Sequence, residues 1–250
     1  MTSLLSGCGE QNQSVSEETK DEQETEQVGH SDEGTLEERA KRHVELALGI
    51  PGNEKYTLKI YRENLDADDK QDAVIVVNRL EYALNEAVRQ GNTAKRAELG
   101  FIGNYNCFFF YDGGLDKISP KIDVPSTPQK ELDVAFHHIS SDQYKDIVID
   151  FRVRNSKFRE FYFVINHTPR KVFQQQVFDG LGITNTEAYG IAYEEGTMSS
   201  QKDILILKAE MKSPSDEIDV FTFEPEIIVG KELLYRFFYH PKLGKYAIRK

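Results

Sequence analysis

The chain has 250 residues, 39% of them hydrophobic and 11% aromatic, and carries a formal net charge of −11. A length of this order suits one large domain or two small ones. No stretch reaches the roughly 18 consecutive apolar residues of a membrane-spanning helix, and the acidic balance argues against nucleic acid as a partner.

The acidity is concentrated near the start. Between Gly9 and Thr35 nine acidic residues face the single base Lys20, so this segment holds −8 of the total and the remainder only about −3. It is rich in Ser, Gln and Glu and has no aromatic residue. Such a composition cannot bury enough apolar surface to offset the entropy of ordering, which predicts a disordered acidic tether over 9–35. Immediately before it, Leu5-Ser6-Gly7-Cys8 resembles a bacterial lipobox, in which small residues precede a Cys that becomes the lipidated first residue. The resemblance implies lipidation at Cys8 and an outer-membrane lipoprotein of the cell envelope, held to the membrane by its lipid alone. The pattern departs from the family in that only Met1 to Leu4 precede the box, which implies a start further upstream or a truncated signal. The competing reading is a chance match in a cytoplasmic protein.

The folded part is expected over 36–250 as one domain. "LEERAKRHVELAL" has helical spacing over 36–48 and is stopped by Gly49 and Pro51. "YTLKIY" (56–61) alternates as a half-buried strand, and "AVIVV" (73–77) reads as a strand buried on both faces. "RLEYALNEAVRQGNTAKRAEL" (79–99) reads as a helix with Leu80, Ala83, Leu84, Ala87 and Val88 on one face, interrupted near Gly91. From Gly100 on, strands are expected in "YNCFFFYDGG", "LDVAFHHI", "KDIVIDFRV", "EFYFVINH", "RKVFQQQVF", "DILILKAEM", "DVFTF" and "LLYRFFYH", with a hairpin in "YHPKLGKYAI". The fold class is therefore α+β, mostly antiparallel β-sheet with N-terminal helices. Cys107, in an aromatic strand, reads as a small buried apolar group, and there is neither a disulfide framework nor a zinc spacing.

The stretch "NLDADDKQDAVIVV" (64–77) crowds carboxylates where a strand must begin, although close carboxylates repel and are poor strand formers. Counted from Asn64, oxygen donors fall at alternate positions: the side chains of Asn64, Asp66, Asp68 and Asp72 and the main-chain carbonyl of Lys70. Alternating oxygens on a curled loop suit a hard cation with six to eight oxygen ligands, which points to calcium. The spacing resembles the Asp-x-Asp-x-Asp-Gly-x-x-Asp loops of FG-GAP and VCBS-type repeats, where the loop joins two strands. Asp69 stands where that family has a Gly of positive φ. The competing reading is a metal-free turn in which Asp and Asn side chains accept main-chain N–H groups. A fainter echo lies in "AFHHISSDQYKDIVIDF", where Asp146 leads into a strand as Asp72 does and Ser141 and Asp142 occupy the loop. The two units lie 74 residues apart, longer than a propeller blade, which argues against a regular propeller.

Other constellations read as structural. His137 and His138 are strand neighbours and point to opposite faces. His167 and His240 stand at strand ends with no carboxylate partner in view. "DGLGITN" and "DGGLDK" are turns without the following helix of a phosphate loop. Glu194-Glu195 and Glu224/Glu226 read as solvated acidic pairs. No catalytic signature is present, so the expected function is a non-enzymatic binding or assembly module with a structural calcium loop, its partner an envelope protein or less favourably a glycan. The alternative is a secreted hydrolase, glycan-directed in one form, with its acids in strand-end loops.

Overall fold

The computed structural model describes residues 34–91, 103–212 and 218–248. Cys8, the tether as far as residue 33, Pro214 and the 92–99 portion of the expected second helix lie outside the described residues.

The first element, α1 (Leu36–Leu48), has the bounds its periodicity predicts. The Thr35 hydroxyl accepts from the Glu38 N–H, and the Glu38 carboxylate accepts from the Thr35 N–H, satisfying two orphan donors reciprocally. Gly49 ends the helix in the left-handed conformation. The second helix, α2 (Leu80–Arg89), buries Ala83 and Ala87 while Val88 is exposed.

Among the described residues, thirteen strands make three antiparallel modules. Module I contains β1 (Thr57–Glu63), β2 (Asp72–Asn78) and β3 (Asn106–Asp112), with short β4 (Lys117–Ile118) and β5 (Ile122–Asp123) both paired to β3. Module II is β6 (Asp133–His137), β7 (Asp146–Val153), β8 (Ser156–Ile165) and β9 (Thr168–Asp179). Module III is β10 (Glu187–Glu194), β11 (Asp203–Met211), β12 (Ile227–His240) and β13 (Lys245–Ala247). Modules II and III form one eight-stranded sheet, but only two residue pairs join them, Asp179 with Glu187 and Phe178 with Ala188.

The modules repeat one design. In each, the first two strands are joined by eight residues, 64–71, 138–145 and 195–202, and the second strand opens on a fully buried Asp: Asp72, Asp146 and Asp203. Register matches too, pairing Glu63 with Asp72, His137 with Asp146 and Glu194 with Asp203. The last hairpins of modules I and III also correspond, "FFYDGGLDK" (109–117) against "FFYHPKLGK" (237–245). Both close on equivalent pairs, Asp112 with Lys117 and His240 with Lys245, and both place a left-handed residue at the same point, Asp116 (φ 53°) and Gly244 (φ 60°). The uneven spacing of the opening Asp residues has a simple cause. Between β2 and β3 module I inserts residues 79–105, including α2, where module II has only Arg154-Asn155. This insertion lengthens the first gap to 74 residues (146 − 72), against 57 (203 − 146) for the second.

Modules I and II bury both faces by stacking. Helix α1 covers the back of module I, with Ala40 and Val44 against Ile75, Val77, Cys107 and Phe109. The front of module I, with Val74, Val76, Phe108 and Phe110, packs on Ile147, Ile149, Phe151 and Tyr162 of module II. The opposite face of module II, with Val148, Phe161 and Phe163, packs on Ile204, Ile206 and Tyr239 of module III. This explains why β2 is buried throughout, as its continuous apolar run predicts. The loops are stitched in series as well: the Lys145 N–H donates to the Asn64 carbonyl (3.0 Å), and the Lys202 N–H to the Ile139 carbonyl (2.8 Å).

Two expectations fail. "DVFTF" (219–223) is a turn, because the Asp219 carboxylate captures the Phe221 N–H (3.0 Å) and the Thr222 hydroxyl (2.8 Å), local bonds that compete with a strand ladder. The buried Arg152 then gathers the Val220 and Phe223 carbonyls. Conversely, β10 was not expected, since Gly190 in its middle weakens the pattern. The glycine is required there: a Cβ would stand 2.2 Å from Val229 Cγ1.

Candidate functional site

The strand-opening aspartates are built into the loops they follow. Asp72 Oδ2 accepts from the Leu65 N–H (3.0 Å) and Oδ1 from the Gly113 N–H (2.9 Å), tying two loops together. Asp146 Oδ2 accepts from the N–H groups of Ile139 and Ser140, and Oδ1 from the Ser140 hydroxyl. Asp203 Oδ2 accepts from the N–H and hydroxyl of Thr197. Burial pushes the carboxyls of Asp72 and Asp146 up to about 6; for Asp72 the nearby Asp66 and Asp112 add to the effect.

Loop 64–71 differs from the other two in its charge. Asp66 Oδ1 accepts from the Asp68 N–H (2.9 Å) and Asp68 Oδ1 from the Lys70 N–H (2.8 Å), two successive Asx turns that leave one oxygen of each carboxylate uncommitted to the main chain. Asp69 is exposed and does not adopt positive φ, so the bend a Gly makes in the FG-GAP type of loop is made here by the Asx turns. Asn64 and Lys70 are exposed. The "DGGLDK" turn between β3 and β4 lies directly against this loop. A Cβ on Gly114 would stand 2.0 Å from Asp68 Oδ2, and one on Gly113 2.3 Å from the Gln71 carbonyl oxygen, so the paired glycines permit the approach.

A third element completes the cluster. β8 and β9 are joined by Asn166-His167, both left-handed as a two-residue hairpin requires, and this puts His167 beside module I. His167 Nδ1 lies 2.7 Å from Asp112 Oδ2 and 3.9 Å from Asp66 Oδ2. Asp66, Asp112 and His167 each offer a ligand atom within 4.8 Å of the others. Burial chiefly raises the Asp66 carboxyl, with Asp68 and Asp112 adding and His167 opposing. The position between these atoms suits a positive charge such as a divalent cation.

Thus the structure gathers Asp66, Asp68 and Asp72 of the expected ligand set at one end of module I, with Asp72 turned to loop closure. Asn64 contributes its carbonyl to Lys145. Asp112 and His167 were not anticipated. His167, expected to lack a carboxylate partner, has one through the packing of module II on module I. The remaining constellations stay structural. His137 is half-buried beside Tyr193 and His138 is exposed. Glu194 pairs with Arg236, Glu224 with Lys157 and Glu226 with Lys212. A hollow of about 430 Å³ beside the end of α1 contains Arg79, but Glu54 already holds this guanidinium at 2.6 and 2.7 Å. Cys107 is buried, and its thiol is pushed up to about 12, far from a nucleophile.

Set against known family models, curated proteins and solved structures, the chain matches none.

Proposed function

We propose that the protein is a non-enzymatic binding or assembly module of the bacterial cell envelope, tethered through a lipid on Cys8 and stiffened by a divalent cation at the 64–72 loop. The observation that carries the cation is the convergence of Asp66 and Asp112 with His167 at the junction of modules I and II, with Asp68 on the same loop as Asp66. Calcium is the preferred ion, since the free oxygens of Asp66 and Asp68, the loop carbonyls and solvent form a hard, flexible donor set. The tether composition and the lipobox-like Leu5-Ser6-Gly7-Cys8 support the envelope location. An envelope protein is the favoured partner and a glycan the second. A second reading of the ion rests on the His167 ring: if Nδ1 releases its proton and joins Asp66 and Asp112, the mixed nitrogen and oxygen set favours zinc or manganese.

The test is thermal unfolding of the full chain with millimolar calcium, with zinc and with chelator. Calcium binding stabilises the native state by about 1 to 3 kcal/mol at saturation. The double variant Asp66→Ser/Asp68→Ser keeps hydroxyl acceptors for the turns, as Ser141 accepts from the Gln143 N–H in the second loop, and should lose the calcium-dependent shift while remaining folded. A wild type whose melting is unchanged by any of these ions leaves only the Asx turns. A shift with zinc alone, abolished by His167→Gln, selects the second reading.

A further inference from the structure

We propose that the edge of the molecule formed by the β8–β9 and β12–β13 hairpins docks on an anionic lipid surface, with Ile165 and Leu243 entering the headgroup layer and the bases beside them meeting phosphates. The inference adds a second membrane contact to the envelope reading and is independent of the cation. Each module turns back after its third strand through a hairpin that carries an exposed apolar residue at or beside its turn. These residues are Leu115 in module I (49% exposed), Ile165 in module II (38%) and Leu243 in module III (62%). The three turns lie side by side. His167 of the second stands 2.7 Å from Asp112 of the first. Next to the second and third turns, the Phe163 ring packs on those of Tyr239 and Tyr246, with centroids 5.4 and 6.1 Å apart. A hollow of about 240 Å³ between these two hairpins is lined by both Lys171 and Lys245.

The second and third hairpins are also where positive charge collects on an acidic chain. Residues 165–173 and 237–246 hold four bases, Arg170, Lys171, Lys242 and Lys245, and no acid, whereas the whole chain carries −11. All four are exposed. Glu160 holds Lys171 at 2.8 Å, but Arg170, Lys242 and Lys245 have neither an ion-pair nor a hydrogen-bond partner among the described residues. Free cations beside exposed aliphatic side chains make a surface that can meet both the phosphates and the acyl boundary of a bilayer. The first hairpin continues the apolar row but not the charge, since Asp112 and Asp116 flank Leu115.

Two arguments select a lipid surface as the occupant. The first is charge: the basic edge complements headgroup phosphates, and a cluster of about four bases is enough for anionic lipid to attract. The second is shape. The apolar side chains stand on separate hairpin turns and form no continuous face. A folded partner would need a hollow matched to each turn, whereas the headgroup layer closes around separate tips. A lipid on Cys8 would hold this edge near a bilayer at high effective concentration, so a weak contact suffices.

The test is co-sedimentation of the full chain carrying Cys8→Ser, in chelator, with vesicles of phosphatidylcholine alone or with about a third phosphatidylglycerol. These conditions separate the proposal from both lipidation and the cation. The expected result is binding to the anionic vesicles only, weakened by added salt. Lys242→Gln/Lys245→Gln should reduce binding by about tenfold or more, and Leu243→Ser by about tenfold. All three positions are exposed, so melting should be unchanged. The chain contains no Trp, so Leu243→Trp supplies a single reporter whose emission should shift to the blue on anionic vesicles. Leu46→Trp, in the last turn of α1 and as exposed at 66%, should show no shift. Failure to bind anionic vesicles, equal binding to neutral ones, or binding indifferent to both the Leu243→Ser and the paired-lysine variants overturns the proposal. So does a Leu243→Trp shift evoked by a poly-glutamate peptide and not by vesicles, which would mark the edge as a site for an acidic protein segment.

Discussion

The loops 64–71 and 138–145 have the same length and place, and each is closed by a buried aspartate, yet only the first gathers carboxylates. Asp72 and Asp146 share one task, capping the loop that precedes them. Asp66 and Asp68 have no carboxylate counterpart at the third position of the second loop, which holds Ser140, and Asp142 at the fifth is exposed and paired with Lys202. The difference separates what the fold requires from what one loop adds. The ninth-position aspartate belongs to the architecture, whereas the third- and fifth-position carboxylates, beside Asp112 and His167, are what this one loop adds.

The sharpest way to break this comparison is to alter the two capping aspartates. Asp146→Ala orphans two main-chain N–H groups and a hydroxyl, and should lose about 3 kcal/mol in denaturant unfolding. The asparagine variants should diverge. In Asp146→Asn the amide oxygen can serve Ile139 and Ser140 while the amide nitrogen donates to the Ser140 hydroxyl oxygen, so stability should change by less than about 0.5 kcal/mol. In Asp72→Asn one side of the amide must face a main-chain N–H, from Leu65 or Gly113, and the loss should be about 2 kcal/mol. Equal losses for both would mean that the two loops are not closed alike.

A smaller effect concerns pH. Asp72 and Asp146 are raised in the folded protein to about 6, above the ordinary value near 3.9. Between those values the folded state holds more protons than the unfolded one. Their contribution to stability therefore increases as pH falls through about 6, is complete below about 4, and is lost again on returning to neutrality. The slope is at most about 1.4 kcal/mol per pH unit for each group. Unfolding measured from pH 7 to 5 should show this rise in wild type, and Asp146→Asn should reduce it. A slope unchanged in that variant would remove Asp146 from the titration.

The smallest effect distinguishes main chain from side chain at the seams between modules. Lys202 joins loops through its N–H, while its ammonium makes only an exposed pair with Asp142 at 3.1 Å. Lys202→Gln should alter stability by less than about 0.5 kcal/mol. A larger loss in chemical denaturation would show that the seam depends on the charge.

How much was legible in advance varies with the range of the cause. Helix α1 was readable because its signals are local: the Thr35 and Glu38 capping box and Gly49 at the exit. β2 was readable because five successive apolar residues leave no polar face. The turn at Asp219 was misread because "DVFTF" has strand composition, and the deciding side chain bonds only its near neighbours. β10 was missed because Gly190 makes sense only once Val229 lies across it. The site was half legible. The spacing of Asp66, Asp68 and Asp72 is a sequence feature, but Asp112 and His167 reach them from β3 and the β8–β9 turn by tertiary packing. A signal for the third module was present. "KDIVI" and "KDILI" open β7 and β11 much as "QDAVI" opens β2, though the third loop has exchanged carboxylates for Thr197 and Ser199.

The burial of Cys107 gives the molecule an internal clock. The thiol lies beneath α1, only 2% exposed, and is held protonated by its surroundings. A thiol reagent can reach it only after the helix parts from module I, so the rate of labelling in a Cys8→Ser background reports the frequency of that opening under native conditions. Because α1 is anchored near the proposed cation site through the Arg39 pair with Asp116, comparing labelling with and without calcium reads how far order at the loops propagates into the opposite side of the sheet.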